Sequence, residues 1–586
     1  MRYIYFILFA LFASPAIAAD VNGYTAQYEC KSGGTNCNVD VATLTAQACQ
    51  QTITTATTPT GDWSAINWSN TVICIQAGDH TGRGTLTIGA SGTSGTRKVL
   101  RYYRSSDTDD EPWNQSDANK AKIDQLIVRG KDYWIINRLS FPVTTSVSTA
   151  RVDIDSDGAD EATNLILNRI HIVGGGFGGT LYYGVSISAG TDITLQNSVV
   201  GEFYGNGPIA EAVGVSASTG TNIRLVNNEI YDYAAHPIQI GDNNGPTMPG
   251  FVIENNDVFQ STAMQTTGGT LTRGEDPVSI KAGATSGNPA QIIHNRIWGA
   301  RVTDLDYCCN GTYGSAIGIN QLPVDEVFPE GGYSSSGSYK YTLIKNNIVF
   351  DSQWGITWYP SGATNTSIIG NIFYKIREYD SSVASYALIP KSSSSEIYLN
   401  TFVYNETYSI DVDNGELTND LRCNAFLSGA AAVVSGTPPA SIIADFNAFY
   451  DTTLFTFNGT ATNINKTVST RANSTAYSLN AIIRTTATPP ADGTSGDFLY
   501  MVTTAGTSAG SPPAYTTTLG GTTTDGTMVV KAIRGPYSFY RKLRTTAELV
   551  YIPYATVHSS SPDYQYCPNT TGNRTSIGVS DQTGTW

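Results

Sequence analysis

Ile253-Glu254-Asn255-Asn256-Asp257-Val258 is one copy of a phrase that the chain repeats: apolar residues, an asparagine, one variable residue, another apolar residue. Other copies are Ile135-Ile136-Asn137-Arg138-Leu139, Leu167-Asn168-Arg169-Ile170, Leu195-Gln196-Asn197-Ser198-Val199, Val226-Asn227-Asn228-Glu229-Ile230 and Ile293-His294-Asn295-Arg296-Ile297. Five more carry Asn346, Asn371, Asn400, Asn424 and Asn447. Read through Asn137, Asn168, Asn197, Asn228, Asn256, Asn295 and these five, the spacing is 31, 29, 31, 28, 39, 51, 25, 29, 24 and 23 residues. A unit that recurs at this period is the signature of a solenoid.

The unit also identifies the kind of solenoid. Each holds short runs of Ile, Val, Leu and Phe in period-2 alternation, broken by Gly, Ser, Thr, Asn and Asp, with no room for an ordinary helix. Three short strands per turn, stacked in parallel about 4.8 Å apart, satisfy that pattern. An asparagine pointing inward at the same corner of every turn can bond to the next asparagine and to turn backbone. With these repeats the chain resembles the right-handed parallel β-helix proteins of the pectate lyase-like superfamily, over roughly residues 60 to 480. The resemblance implies an all-β, single-stranded parallel β-helix. It leaves function open, because one scaffold serves lyases, glycoside hydrolases, esterases and adhesins.

A solenoid lengthens without a new core, so 586 residues read as one long domain with caps. Residues 1–19 read as a signal peptide: Arg2 is basic, Ile4 to Ala13 is apolar, and Ala16-Ile17-Ala18 is a small-x-small cleavage pattern. Residues 20–95 form an N-terminal cap and first coils, 96–487 the β-helix, 488–535 a small inserted β module, and 536–586 the last coils and a C-terminal cap. No later run is long and apolar enough to span a bilayer, so membrane insertion is not expected. The expected location is secreted or at the cell surface. There, eight cysteines point to disulfides, with Cys30–Cys37 and Cys49–Cys74 favoured among three pairings of the N-terminal four. A net charge of −15 argues against binding nucleic acid. Assembly into an oligomer stays open.

The two long gaps in the asparagine series place insertions at about 260–275 and 302–338, and loops growing from a rigid stack are where solenoids keep function. Aligning the strand before each asparagine gives Val185–Ser188, Val215–Ser218, Ile238–Gly241, Val278–Lys281, Ile317–Asn320, Ile356–Tyr359, Leu388–Lys391 and Ile410–Asp413. Their second and fourth residues point outward. Read up the stack, the fourth residues are Ser188, Ser218, Gly241, Lys281, Asn320, Tyr359, Lys391 and Asp413, so small residues give way to long polar ones beside the insertions. A strip of this kind suits an extended extracellular polysaccharide.

Three chemistries can be written on it. For β-elimination, Lys281 is the base that removes the proton next to a uronate carboxylate, Arg301 or Lys391 neutralises that carboxylate, and Glu275 or Asp276 holds a calcium ion. Gln239, Asn320, Tyr359, Asp411 and Asp413 then line the substrate. Glu275-Asp276-Pro277-Val278-Ser279-Ile280-Lys281 is similar to the acid-then-lysine strand of uronan-lyase-like β-helix proteins, which implies a polysaccharide lyase. For hydrolysis of the tail-spike type, a carboxylate pair is needed, and Glu275, Asp276, Asp304, Asp306, Asp411 and Asp413 are the available groups. In the third reading the strip binds without reacting, as in an adhesin or a filament component.

Overall fold

The structure is a computed structural model. It describes residues 39–55, 62–103, 119–142, 150–173, 183–203, 213–233, 236–241, 246–259, 276–300, 315–319, 341–358, 366–378 and 384–390. Beyond these it describes the strands and short flanking pieces between 396 and 450, then 464–485 apart from 467 and 480, 498–516, 521–534, 566–568 and 574–576.

Alternating apolar residues and short polar turns produce three long sheets, each built from one strand per turn of the coil. The first sheet runs from Gln51–Ile53 to Ile443–Asp445 in fourteen strands and the second from Gly78–Asp79 to Ile464–Lys466 in fourteen. The third runs from Thr85–Thr87 to Ala432–Ser435 in twelve. Neighbours within a sheet are consecutive turns and pair in parallel; Val252–Glu254, for example, lies between Arg224–Val226 and Ala290–Ile293. Every turn therefore goes first sheet, second sheet, third sheet, which is the right-handed parallel β-helix. One continuous core fills it, from Ile53 through Leu225, Ile253 and Ile292 to Phe426. Phe373, Phe402 and Phe426 stack inside it with centroids 4.9 and 4.8 Å apart, the spacing of the turns themselves.

The corner between the first and second sheets carries two amide ladders where the sequence suggests one. Arg138, Arg169, Asn197, Asn227, Asn255, His294 and Asn346 occupy the left-handed backbone region, with φ from 53° to 61°. Asparagine tolerates that conformation, and here its side chain faces outward. Asn168 donates to Asn137, Asn197 to Asn168, Asn227 to Asn197 and Asn255 to Asn227, at 2.7 to 3.0 Å. The following residue points inward, and the buried ladder is Asn228, Asn256, Asn295, Asn347, Asn371, Asn400 and Asn424. Asn137, Asn168, Asn197 and Asn346 thus belong to the outer ladder, a correction to the single inward series. Where two asparagines adjoin, composition alone does not say which takes the left-handed corner. Asn447 lies outside the described residues.

At the N-terminal end, a five-residue helix Val41–Thr45 is started by Asp40, whose carboxylate accepts from the Thr43 amide at 2.9 Å. It lays Val41 on Val72, Cys74, Val99, Ile135 and Ile166, covering the outer face of the first sheet. The Cys49–Cys74 disulfide pins the chain just after this helix, as expected. Cys30 and Cys37 lie outside the described residues, as does the proposed signal peptide. Among the described residues, no helix is long and apolar enough to cross a membrane.

After Lys466 the parallel pattern gives way to a separate five-stranded sheet, in the order Val468–Thr470, Ile482–Arg484, Phe498–Thr504, Met528–Arg534, Thr522–Asp525. All its pairings except the first are antiparallel. It has its own small core of Ile483, Tyr500, Val502, Met528, Val530 and Ala532. Its strands begin upstream of residue 488, where the sequence reading sets the start of a C-terminal module.

Candidate functional site

The third sheet pairs these strands in the register that their sequences suggest. Gln239 lies opposite Ser279, Ser279 opposite Gly318, and Gly318 opposite Thr357. Ile240, Ile280, Ile319, Trp358 and Pro390 form the next row, so Gly241 and Lys281 come one residue past the strand ends in the same column. The strand Ser315–Ile319 lies inside the longest gap of the asparagine series. The connection between Phe259 and Val278 enters the third sheet and the one between Ile319 and Thr342 leaves it, so both insertions adjoin this sheet.

Of the residues proposed from sequence, Gln239, Asp276 and Lys281 are described with their side chains: Gln239 lies in the strand Ile238–Ile240, and Asp276 and Lys281 stand before and after the neighbouring strand Val278–Ile280. Asn320, Tyr359, Lys391, Asp413, Arg301 and Glu275 lie outside the described residues, as do Asp304 and Asp306. Asp411 ends the strand Tyr408–Asp411, opposite Ser435.

Several local features position Lys281. Its amide donates to the Ile240 carbonyl at 2.6 Å, continuing the ladder beyond the strand. Gly241, at φ +87°, lies so close that a Cβ there would stand 2.5 Å from the Lys281 carbonyl carbon and oxygen. Only glycine lets the backbones approach in this way. Gln239 donates to the Gly241 carbonyl at 3.2 Å and so braces the same turn. On the entry side, the buried His236 ring places Nδ1 3.1 Å from the Asp276 carbonyl oxygen, which fixes that nitrogen as the donor. Asp276 itself is buried.

Ser279 is a residue that the sequence reading leaves without a role. Its side chain points outward between Gln239 and Gly318, yet it is 0% exposed, and its hydroxyl has no hydrogen-bond partner. The Gln239 Oε1 on the adjoining strand is likewise buried and unpartnered. A buried polar atom without a partner costs about 1–3 kcal/mol, so two on neighbouring turns mark a place suited to a polar ligand or ordered water. The alternation gives Ser279 its outward position, but nothing in the sequence signals its burial. Thr357 and Ile389, further up the same outward column, are also buried, at 0% and 3%. The column is therefore covered rather than open along these turns.

Among the described residues no group of three His, Cys, Asp or Glu side chains could hold a metal ion. Asp276 supplies one carboxylate, and the second expected calcium ligand, Glu275, lies outside the described residues. At the N-terminal end of the same face, burial pushes the Asp153 carboxyl up from its ordinary range, against the pull of Arg129 at 3.4 Å.

No protein-family model matches the chain, and no curated protein matches its sequence. Solved structures do resemble its fold. A pectate lyase, Pel9A, is 14% identical, covering 60% of this chain and 70% of that one, with a TM-score of 0.35. A mannuronic acid specific family 6 polysaccharide lyase from human gut microbiota is 13% identical over 68% of this chain and 77% of its own, with a TM-score of 0.37. PfbA, a surface adhesin of Streptococcus pneumoniae, is 13% identical over 64% and 88%, with a TM-score of 0.29. Enzymes and an adhesin share the architecture, so the likeness bears on fold alone.

Proposed function

We propose that this protein is a secreted polysaccharide lyase that cleaves an acidic glycan by β-elimination. The observation that supports the reading is the pair of buried, unpartnered polar atoms, the Ser279 hydroxyl and the Gln239 carbonyl, on neighbouring strands, with Lys281 two residues beyond Ser279. In this reading the Lys281 amine takes the C5 proton of a uronate, the C4–O4 bond breaks, a C4=C5 double bond forms, and the departing oxygen leaves as a hydroxyl once protonated. Ser279 and Gln239 bond sugar hydroxyls and thereby satisfy their own buried atoms. Arg301 or Lys391 neutralises the carboxylate, and Glu275 and Asp276 are the groups that would hold a calcium ion.

Purified protein incubated with alginate, pectate and glycosaminoglycans, with and without a chelator, would be followed by the ultraviolet absorbance of the unsaturated end. The expected outcome is product from at least one polymer, lost by about 10²-fold or more in Lys281→Ala while circular dichroism stays unchanged. Reducing ends without that absorbance would point to a hydrolase. The burial of Ser279, Thr357 and Ile389 favours a second reading, in which the covered face is structural and the rod is a binding or surface component. Absence of cleavage on every polymer, with Lys281→Ala indistinguishable from the parent in glycan binding, would support that alternative.

A further inference from the structure

The half of the third sheet that leads up to Lys281 has an unusual charge distribution. Its outward column runs through Asp153, Ser186, Ser216, Gln239 and Ser279, each opposite the next. Four steps of about 4.8 Å make a strip about 19 Å long. The parallel column adds Asp155, Ser188 and Ser218 before Gly241 and Lys281. Between Arg151 and Arg273 the chain contains only two cationic residues other than histidine, Arg169 and Arg224. Both belong elsewhere: Arg169 sits at the corner between the first and second sheets, and Arg224 in the first sheet. Arg151 is fully buried and donates to the Asp124 carbonyl at 2.9 Å, and Arg129 is paired with Asp153. At its upper end the strip holds the buried, unpartnered Ser279 hydroxyl, which points to a ligand rather than to bare surface.

A homopolymer of uronates would lay a carboxylate on every sugar across hydroxyls and acids, and among the described residues the strip itself offers no cation between Arg129, paired with Asp153, and Lys281. We propose, resting on the lyase reading above, that the substrate presents one uronate at Lys281 and neutral, hydroxyl-rich sugars over the half-buried Ser186, Ser188, Ser218 and Gln239. The protein then acts on a heteroglycan in which uronates are spaced by neutral residues. Serine and glutamine at each step both donate and accept, which matches sugar hydroxyls and offers nothing specific to a carboxylate.

The test compares kcat/KM on hyaluronan and gellan, whose uronates are separated by neutral sugars, with alginate and polygalacturonate, calcium being present throughout. Spaced polymers are expected to be better by about tenfold or more, since a series of unmatched charges weakens binding at each step. Equal or faster turnover of the homopolymers overturns this inference and leaves the lyase reading intact. Absence of unsaturated product from all four sinks the lyase reading instead. Affinity electrophoresis in the same polymers then decides the inference: retardation by hyaluronan or gellan alone supports it, and retardation by polygalacturonate overturns it. In a second arm, the double variant Ser186→Lys with Ser218→Lys is expected to bind polygalacturonate about two- to fivefold more tightly. No gain would show that the polymer does not lie on this strip.

Discussion

Adjacent asparagines at one corner should respond to mutation in opposite ways. Asn256 is buried and donates through Nδ2 to the Leu225 and Glu254 carbonyls at 2.9 and 3.0 Å and to Asn295 Oδ1 at 3.0 Å. Its Oδ1 accepts from the Asn228 amide at 2.8 Å and the Asn228 Nδ2 at 2.9 Å. Asn256→Leu keeps the volume and removes all of these bonds. Two side-chain groups have other partners: Asn228 Nδ2 retains the Leu195 carbonyl, and Asn295 Oδ1 retains the Asn256 amide. The Leu225 carbonyl loses one bond but stays in the parallel ladder with the neighbouring strand, and the Asn228 amide alone is stranded. At about 1–3 kcal/mol for a stranded buried group, the cost is at least about 1–3 kcal/mol. Asn255, one residue earlier, has φ 56° and donates one side-chain bond, to Asn227 Oδ1 at 3.0 Å. Asn255→Gly loses that bond but adopts the left-handed corner freely, so its net effect should be within about 1 kcal/mol. Guanidinium unfolding followed by far-ultraviolet circular dichroism measures both, and hydrogen exchange at the Asn228 amide reports the local loss. Equal shifts for the two variants, or less than about 1 kcal/mol for Asn256→Leu, would refute the assignment of separate inner and outer ladders.

Other parts of the molecule give further expectations. In the C-terminal antiparallel unit, Arg471 grips Asp525 through Nε at 2.8 Å and Nη2 at 2.9 Å, and the Tyr515 hydroxyl donates to the same carboxylate. Burial alone would raise the Asp525 pKa, but these bonds prevail and hold it at about 2, below the ordinary 3.8. The resulting stability, about 2 kcal/mol, is fully present above the ordinary carboxylate range and lost as pH falls through about 2. Acid titration of Tyr500 and Tyr515 fluorescence should therefore show a transition in the parent that Asp525→Asn lacks, the variant being already destabilised at neutral pH. Opening the Cys49–Cys74 link, 25 residues apart, by Cys49→Ser with Cys74→Ser should cost about 3 kcal/mol, read as a lower denaturation midpoint. On the outer face of the second sheet, Trp298 stacks between Phe259 at 4.3 Å and Phe350 at 5.1 Å. Trp298→Ala should cost at least about 1–3 kcal/mol from these two contacts and lower the near-ultraviolet dichroism of the stack; an unchanged spectrum would count against the geometry.

Backbone periodicity is the most legible property of this chain, because a strand repeated at every turn writes the same apolar alternation many times. The pairing of Ser279 with Gln239 and of Ile280 with Ile319 follows directly from aligning Ile238–Gly241, Val278–Lys281 and Ile317–Asn320. The asparagine corner is legible in kind but not in register. Ambiguity exists even where one asparagine stands alone: Asn371, Asn400 and Asn424 join the buried ladder, whereas Asn137, Asn168 and Asn197 join the outer one. It arises again at Asn346-Asn347 and Asn255-Asn256, where one residue must take a positive φ and the other must turn its side chain to the core. The site is less legible for a different reason. Alternation says which way Ser279 points, but its burial depends on what lies over the sheet, which alternation does not record. The charge pattern of the strands themselves is more informative than any single outward residue: so few cations between Arg151 and Arg273 limit what these turns can offer an anionic ligand.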